Sequence, residues 1–224
     1  MAIIRILGVT MKLYGYWRSS AAYRARIGLN IKGIDYQQES VHLVKDGGQQ
    51  HGDAYREINP AGLVPALEVG GTIIRQSMAI LEYLEEKIPE PELLPGNLDQ
   101  KAQIRALAYD LAMDAHPLNN LRVLQYLKGD MQQSEEAVNL WYHHWLDKAF
   151  APLEHQAKHL KSSGRFIWHD QLTMADVLLI PQIYNALRFN LDMTPYPLLT
   201  SIYEHCNSLD AFIQAAPEKQ PDAV

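Results

Sequence analysis

The stretch Val64-Pro-Ala-Leu-Glu-Val-Gly-Gly-Thr-Ile-Ile-Arg-Gln-Ser77 decides how the first part of the chain folds. Two short, mainly apolar runs, residues 64–69 and 72–75, flank Gly70-Gly71. A Gly-Gly pair supplies the positive φ angles that a two-residue turn requires. Ser77 is a residue type that starts helices, and an apolar periodicity follows it. The stretch therefore predicts a β-hairpin that leads directly into a helix.

The residues upstream of the hairpin predict a β-α-β unit. Residues 12–16 and 36–43 predict strands, and residues 20–32 predict a helix that ends at Gly33, a good C-terminal cap. Residues 45–50 are polar and contain two glycines, which indicates a loop. Together with the hairpin and its helix, the order β-α-β then β-β-α predicts a small α/β domain over residues 11–90.

A proline-rich break separates this domain from a helical remainder. Three prolines and a glycine in Pro89-Glu-Pro-Glu-Leu-Leu-Pro-Gly96 cannot continue a helix. We therefore expect an N-terminal extension at 1–10, a linker at 91–98 and an all-α domain at 99–224, an α+β two-domain architecture. Helices are predicted over residues 99–127, 134–160, 173–189 and 196–215. Thr173-Met-Ala-Asp176 fits a helix capping box, with no chemistry implied.

Composition narrows the class of protein. The 224 residues are 47% hydrophobic and 21% charged, ordinary values for a globular protein. The net charge of −6 makes the chain a poor generic binder of nucleic acid or anionic membrane. No segment has the length or the cleavage site of a membrane span or signal peptide. The single cysteine, Cys206, excludes an internal disulfide and fits a reducing compartment, so a cytoplasmic location is the expectation.

Ser19 and Ser20 fall where a strand ends and a helix begins. Free N–H groups and the helix dipole favour an anion there, to which a serine hydroxyl could donate. Helix capping by either serine is the simpler interpretation.

Gln76-Ser77 lies at another helix start, where an amide and a hydroxyl suit a carboxylate or, equally, a cap. Pro65 lies at the start of a predicted strand. A cis Val64–Pro65 peptide bond would turn the backbone of Val64 outward, where its N–H and C=O groups could hydrogen-bond an extended peptide. A trans bond is far commoner before proline.

Polar residues also interrupt a helix in the second part, in His116-Pro-Leu-Asn-Asn-Leu-Arg122. They line a cleft or form a solvated face, and periodicity alone favours the solvated face. His155 and His159 stand four apart, the spacing of two metal ligands on a helix, but no third ligand is evident, so we expect no metal site.

The order and spacing of these motifs resemble the zeta class of glutathione transferases over nearly the whole chain from Met11 to Asp222. The motifs that carry the resemblance are Tyr16-Trp-Arg-Ser-Ser20, Asn59-Pro60, Val64-Pro65, Gln76-Ser77, the proline-rich linker and Thr173-Met-Ala-Asp176. Three further stretches are typical of the class: Ile31-Lys-Gly-Ile-Asp-Tyr36, Lys45-Asp-Gly-Gly-Gln-Gln50 and Asp192-Met-Thr-Pro-Tyr-Pro197.

The resemblance implies a thioredoxin-like first domain that holds glutathione, an all-α second domain and a homodimer. Val64, before a cis-Pro65, would pair with the cysteinyl backbone of glutathione. The other implied glutathione contacts are Ser19, Gln50, Gln76, Ser77, His116 and Asn120. Ser19 would donate to the glutathione sulfur, with Ser20 as a second candidate. Ala21 stands where the family motif often has cysteine, so a protein cysteine cannot be the nucleophile there.

The activity that the resemblance implies is cis–trans isomerisation of maleylacetoacetate to fumarylacetoacetate, a step of tyrosine and phenylalanine catabolism. The glutathione thiolate would act as a borrowed nucleophile. Because the substrate is a dicarboxylate and the protein is net acidic, local cations are needed to bind it. The expected substrate-binding set is Arg18, Arg122 and Arg188. Arg18 also lies beside the catalytic serines. Maleylpyruvate isomerase, a general zeta-class transferase and a non-catalytic binding module are the alternatives.

Overall fold

The first unit is built on a four-stranded mixed sheet. The computed structural model describes residues 10–224, so the expected extension at 1–10 lies, apart from Thr10, outside the described residues. The strand order is β2-β1-β3-β4, in which β1 and β2 are parallel and the other neighbours are antiparallel. The strands are β1 (Met11–Gly15), β2 (Tyr36–Ser40), β3 (Ala66–Val69) and β4 (Thr72–Arg75).

Three helices accompany the sheet: α1 (Ser20–Ile31), α2 (Asp53–Ile58) and α3 (Ser77–Lys87). The core between the sheet and α1 and α3 is apolar, with Leu13, Leu29, Leu67, Ile80 and Leu84 fully buried. The predicted β-α-β and β-β-α order is confirmed, including the hairpin turn at Gly70-Gly71 and the positive φ of Gly33, 65°. Helix α2 was not predicted.

The second strand is shorter than predicted, because β2 ends at Ser40 and not at residue 43. Beyond it, Nδ1 of His42 accepts N–H bonds from Val44 and Lys45, which turns the chain out of the sheet. Two short 3₁₀ turns, Lys45–Gly47 and Gln49–His51, form the polar loop that follows.

The second unit, Leu93–Asn207, is helical throughout its regular structure. Its α-helices are α4 (Leu98–Tyr109), α5 (His116–Leu118), α6 (Leu121–Lys128), α7 (Glu135–His159), α8 (Met174–Arg188) and α9 (Pro197–Cys206). The predicted helix over 99–127 is interrupted: a π-helical segment, Asp110–Ala115, separates α4 from α5, and Asn120 caps the new helix α6.

The capping box predicted at the start of α8 is present. Oδ2 of Asp176 accepts from Thr173 N at 2.8 Å and from Thr173 Oγ1 at 3.1 Å. Oδ1 of the same carboxylate accepts from Ile167 N at 2.9 Å. Both side chains are fully buried, and burial raises the pKa of Asp176 to about 7 against the pull of these donors. The box therefore fixes the loop before α8 as well as the helix start.

The C-terminal segment Ser208–Val224 belongs to the same compact unit as the described residues up to Glu92. It contains α10 (Asp210–Ala215) and a 3₁₀ turn, Pro217–Lys219. The helix predicted over 196–215 is thus two helices, and its last part lies against α1, where Asn30 Nδ2 donates to Ala211 O. The boundaries 99–224 for the helical domain stay a prediction; within the structure, Arg26 and Asn30 of α1 donate to carbonyl groups of this C-terminal segment.

Within the described part of the chain, no helix has the length and apolar character needed to span a membrane.

Candidate functional site

The register of the sheet brings four chain segments to one edge. Gly15 at the end of β1 lies beside Ser40 at the end of β2, and Tyr14 lies opposite Ala66 at the start of β3. Ala66 in turn lies opposite Arg75, the last residue of β4. The segments that carry Ser19, Gln50, Val64 and Gln76-Ser77 therefore all start from the same end of the sheet.

Ser19 is the N-terminal cap of α1. Its Oγ accepts an N–H bond from Ala22 at 3.2 Å, which resolves the choice between the two serines in favour of Ser19 as the cap. Ser20 is the first residue of the helix and is buried. A hydroxyl that accepts one hydrogen bond still has its own O–H to donate. Ser19 thus offers a donor beside the free N–H groups of a helix start, a combination that stabilises an anion.

Arg18 precedes this cap and is half-buried. Its guanidinium carbon lies 4.9 Å from the centre of the Trp17 ring, a cation–π distance. The contact limits the directions in which the side chain can reach, and it keeps the positive charge next to the start of α1.

The segment before β3 has a defined backbone. The Val64–Pro65 peptide bond is cis. The carbonyl oxygen of Leu63 accepts from Tyr55 Oη at 2.8 Å and from Asn59 Nδ2 at 2.6 Å. Asn59, whose motif with Pro60 the sequence singled out, is buried and so holds the chain immediately ahead of Val64.

Gln76 joins β4 to α3 in an unusual conformation. Its φ is 74°, in the left-handed region that non-glycine residues seldom adopt. It stands at the N-cap position of α3 without a side-chain capping bond, and its side chain is exposed. Such outliers gather at ligand sites. Ser77, the first residue of the helix, is buried, so the pair presents an exposed amide next to a sheltered hydroxyl.

Gln50 lies in the loop after β2 and is 6% exposed. Its Nε2 donates to Leu43 O at 3.2 Å and lies 3.1 Å from His51 Nε2. Its Oε1 is buried and, among residues 10–224, has no hydrogen-bond partner. A buried acceptor of this kind is costly unless a donor reaches it, so Gln50 is suited to receive an N–H group from a ligand.

Two side chains that sequence reasoning did not assign to the site hold the loop between β1 and α1. Arg26, fully buried, donates from Nη2 to Trp17 O at 2.8 Å and from Nε to Ala215 O at 2.9 Å. Asp222 accepts from Trp17 N at 3.0 Å through Oδ2. Burial lowers the pKa of Arg26 to about 10, which leaves it charged at neutral pH. A bond across 205 residues has no sequence signal.

In the second unit, the structure brings three of the predicted residues together around the start of α6. His116 Nε2 lies 3.5 Å from Asn120 Nδ2, and Oδ1 of Asn120 accepts from Arg122 N at 3.1 Å. His116 follows the π-helical segment directly, a type of irregularity that is frequent at functional sites. The side chain of Arg122 is exposed.

Arg188 stands on another element, at the end of α8. Its Nη2 donates to Asn185 Oδ1 at 3.4 Å, and its guanidinium carbon lies 4.5 Å from the centre of the Phe189 ring. Phe189 stacks on the buried Tyr142 at 3.8 Å. Arg188 is therefore an exposed cation on an aromatic support. Burial raises the pKa of Tyr142, partly offset by Arg188.

The arrangement suits an anionic ligand with peptide character. The sheet edge offers the Ser19 hydroxyl, the free N–H groups of two helix starts and the acceptor of Gln50. Within residues 10–224, no three His, Cys, Asp or Glu side chains are grouped as metal ligands. The chemistry of these residues is hydrogen bonding and charge stabilisation.

Comparison with known proteins agrees with this description. Residues 9–86 match the family model "Glutathione S-transferase, N-terminal domain". A probable maleylacetoacetate isomerase of Vibrio cholerae is 48% identical, over 96% of this chain and 99% of its own length. A holo structure of maleyl pyruvate isomerase, described as a bacterial zeta-class glutathione S-transferase, superposes with a TM-score of 0.92 at 43% identity, covering 95% of this chain and 100% of that one.

A third relative, maleylacetoacetate isomerase from Anaeromyxobacter dehalogenans, was solved with bound dicarboxyethyl glutathione and citrate in its active site. It is 39% identical with a TM-score of 0.84, covering 98% of this chain and 96% of that chain. Identity at this level over almost the full length establishes the family and confirms the predicted fold class, a thioredoxin-like unit with a mostly helical remainder. The chain belongs to the zeta class of glutathione transferases, the family that includes the maleylacetoacetate and maleylpyruvate isomerases.

Proposed function

We propose that the chain is a glutathione-dependent isomerase that converts maleylacetoacetate to fumarylacetoacetate. The observation that supports the proposal is the register of β1, β3 and β4, because the segments that carry the Ser19 cap, Val64 and Gln76-Ser77 all start from one end of these strands. The names of full-length relatives, and the glutathione derivative and citrate held by one of them, support the choice of cofactor and of a carboxylate substrate.

The residues present fit glutathione, a peptide with two carboxylates, two amide N–H groups and a thiol. The unpartnered Oε1 of Gln50 can accept an amide N–H. The N–H and C=O groups of Val64 suit the peptide backbone of the cysteinyl residue. Gln76 and Ser77, at the start of α3, suit the γ-glutamyl carboxylate. We assign His116 and Asn120, from the helical unit, to the same cofactor.

Bound glutathione supplies a thiolate that adds reversibly to the activated alkene and so permits rotation about the former double bond. Ser19 donates its O–H to the sulfur, and the N-terminal dipole of α1 adds to this stabilisation, which lowers the pKa of the thiol. Ser20 is the second candidate donor. Arg18, Arg122 and Arg188 bind the substrate carboxylates, and a guanidinium stabilises the negative charge that develops on the carbonyl oxygen.

Maleylpyruvate isomerisation is the second candidate, favoured by the TM-score of 0.92 with a maleylpyruvate isomerase. The two substrates undergo the same reaction and differ in length. We would incubate the protein with each maleyl acid, with and without glutathione, and follow loss of the cis compound by absorbance. The ratio of the two kcat/KM values assigns the substrate. Conversion of neither, with retained activity towards dichloroacetate or a chlorinated aromatic, would indicate a general transferase.

The role of Ser19 is tested by Ser19→Ala, with Ser134→Ala as the matched control. Ser134 caps α7 with a nearly identical bond, Oγ to Ala137 N at 3.1 Å, so both variants lose a helix cap worth about 1 kcal/mol. We expect only Ser19→Ala to lower turnover at neutral pH and to raise the pH at which activity appears. An unchanged pH profile would move the thiolate role to Ser20.

The role of Arg188 is tested by Arg188→Ala, with Arg165→Ala as the control. Arg165 is an exposed arginine of the same unit, 3.8 Å from Asp170. We expect KM for the maleyl substrate to rise about tenfold or more in Arg188→Ala while KM for glutathione changes little, because a carboxylate contact is lost. Equal changes in both KM values would remove Arg188 from substrate binding.

We further propose a homodimer in the cytoplasm. The single cysteine, Cys206, is buried and free, which is compatible with a reducing compartment. Sedimentation equilibrium would give the mass of the assembly, and a monomer at micromolar concentration would contradict the homodimer. Cell fractionation tests the cytoplasmic location.

A further inference from the structure

The end of the chain is bound to the loop that leads to Ser19. Oδ2 of Asp222 accepts from Trp17 N at 3.0 Å, and Trp17 precedes Ser19 by two residues. The same oxygen accepts from Ser40 Oγ at 2.8 Å, and Oδ1 accepts from Gln38 Nε2 at 3.2 Å. One carboxylate therefore ties the β1–α1 loop to two side chains of β2.

Arg26 holds the same loop through its carbonyl groups. It donates to Tyr16 O at 3.4 Å and to Trp17 O at 2.8 Å, while Asp222 takes the Trp17 N–H. Arg26 also donates to Ala215 O, which fixes the C-terminal segment to α1. The backbone N–H and C=O groups of Trp17 are thus both bound by charged side chains, and charge-assisted hydrogen bonds are the strong ones.

The loop in turn sets the position of the Ser19 hydroxyl. Ser19 N donates to Tyr16 O at 3.0 Å, so the backbone that Arg26 and Asp222 hold also closes the turn into the helix cap. A misplacement of about 1 Å at a reacting group can lower a rate a hundredfold. Tight anchoring of this turn therefore matters most to a group that must meet a sulfur atom.

We propose that Asp222 is a positioning residue for Ser19, so that the C-terminal tail completes the thiolate-binding site. The proposal rests on the proposed function, since it takes glutathione as the ligand of Ser19. Asp222 acts through the backbone of Trp17 and does not itself contact the reacting atoms.

The sign of one measurement separates positioning from a direct effect of charge. Removal of a nearby negative charge would, by itself, favour the thiolate and lower the pH at which it forms. Loss of the Ser19 donor has the opposite effect. We would titrate the ultraviolet absorbance of the bound glutathione thiolate against pH in the wild type, Asp222→Ala, Asp222→Asn and the control Asp210→Ala. Asp210 is an exposed acid at the start of α10.

We expect Asp222→Ala to move the titration to higher pH and to lower kcat about tenfold. Asp222→Asn should stay near the wild type or move to slightly lower pH, because it loses the negative charge while its oxygen can accept from Trp17 and Ser40 and a rotated Gln38 amide accepts from its nitrogen. Asp210→Ala should equal the wild type. A wild-type titration in Asp222→Ala, or a shift to lower pH in both Asp222 variants, would overturn the proposal.

A second variant covers the case in which Asp222→Ala does not fold. Gln38→Ala combined with Ser40→Ala frees the carboxylate from β2 but keeps its bond to Trp17, so the titration should move in the same direction by a smaller amount. No movement would contradict the positioning role. If the wild type itself neither binds glutathione nor converts a maleyl acid, the proposed function fails first, and the two failures are thereby distinguished.

Discussion

Lys32 makes the most testable contribution to the stability of the first unit. It follows the last residue of α1, and its side chain is fully buried. Nζ donates to Glu85 Oε2 at 2.6 Å, to Pro91 O at 2.6 Å and to Pro89 O at 3.3 Å. All three ammonium hydrogens are thereby used, and a single side chain joins α1 to α3 and to the proline-rich linker.

We predict that Lys32→Met lowers the free energy of unfolding by about 3–5 kcal/mol. Methionine fills similar volume, but the variant loses the bonds of the Lys32 ammonium to the mostly buried Glu85 carboxylate and to two carbonyl groups. For a chain of this size the loss corresponds to a fall in Tm of roughly 10 °C.

The matched control is Lys128→Met. Lys128 and Glu135 form an ion pair of the same length, 2.6 Å, but their side chains are 49% and 84% exposed. Water already solvates both charges there, so removal of the lysine should leave Tm near its wild-type value.

Urea unfolding at one fixed protein concentration, followed by tryptophan fluorescence and circular dichroism, measures both variants on the same scale. A double variant, Lys32→Met with Glu85→Met, should recover part of the loss, because it also removes the mostly buried carboxylate that Lys32 neutralises in the wild type. If Lys32→Met and Lys128→Met cost the same, burial does not set the strength of these pairs and the reasoning is refuted.

Two other groups give predictions. Burial raises the pKa of Asp176 to about 7 in the folded protein, against about 4 when unfolded, so its contribution to the free energy of unfolding falls as pH rises between these values. Relative to Asp176→Asn, the wild-type free energy of unfolding in urea should drop by roughly 2 kcal/mol from pH 5 to pH 7. A difference between the two proteins that stays constant with pH would show that the carboxylate is ionised. Burial raises the pKa of the Cys206 thiol well above its usual range. A disulfide reagent should therefore modify it only in denaturant, and rapid labelling of native protein would contradict this.

Local sequence patterns predicted the elements whose determinants are also local. The Gly70-Gly71 turn, the Gly33 helix end and the Thr173–Asp176 capping box each depend on backbone preferences within a few residues, and the structure has all three. The same holds for the cap of α1, although the pattern could not choose between Ser19 and Ser20.

The features that the sequence did not predict depend on distant partners. The sequence around Asp222 does not indicate that it binds Trp17. Nor does the sequence of α1 indicate that its side chains Arg26 and Asn30 donate to the carbonyl groups of Ala215 and Ala211. The π-helical break before His116 also escaped the periodicity, because one widened turn shifts the apolar pattern only slightly. Periodicity alone therefore favours a solvated face for the polar residues at 116–122.

Because the tail of the chain supports the first unit, the order of synthesis has a consequence. The sheet and its helices leave the ribosome early, yet Ala215 and Asp222 arrive only after the whole helical unit has been made, roughly ten seconds later. Until then Arg26 and Asn30 on α1 lack the carbonyl groups of the C-terminal segment that they bind in the finished protein. Translation of residues 208–224 therefore completes the unit whose sheet was made first, and a product truncated before residue 208 would retain the sheet without a fully anchored Ser19.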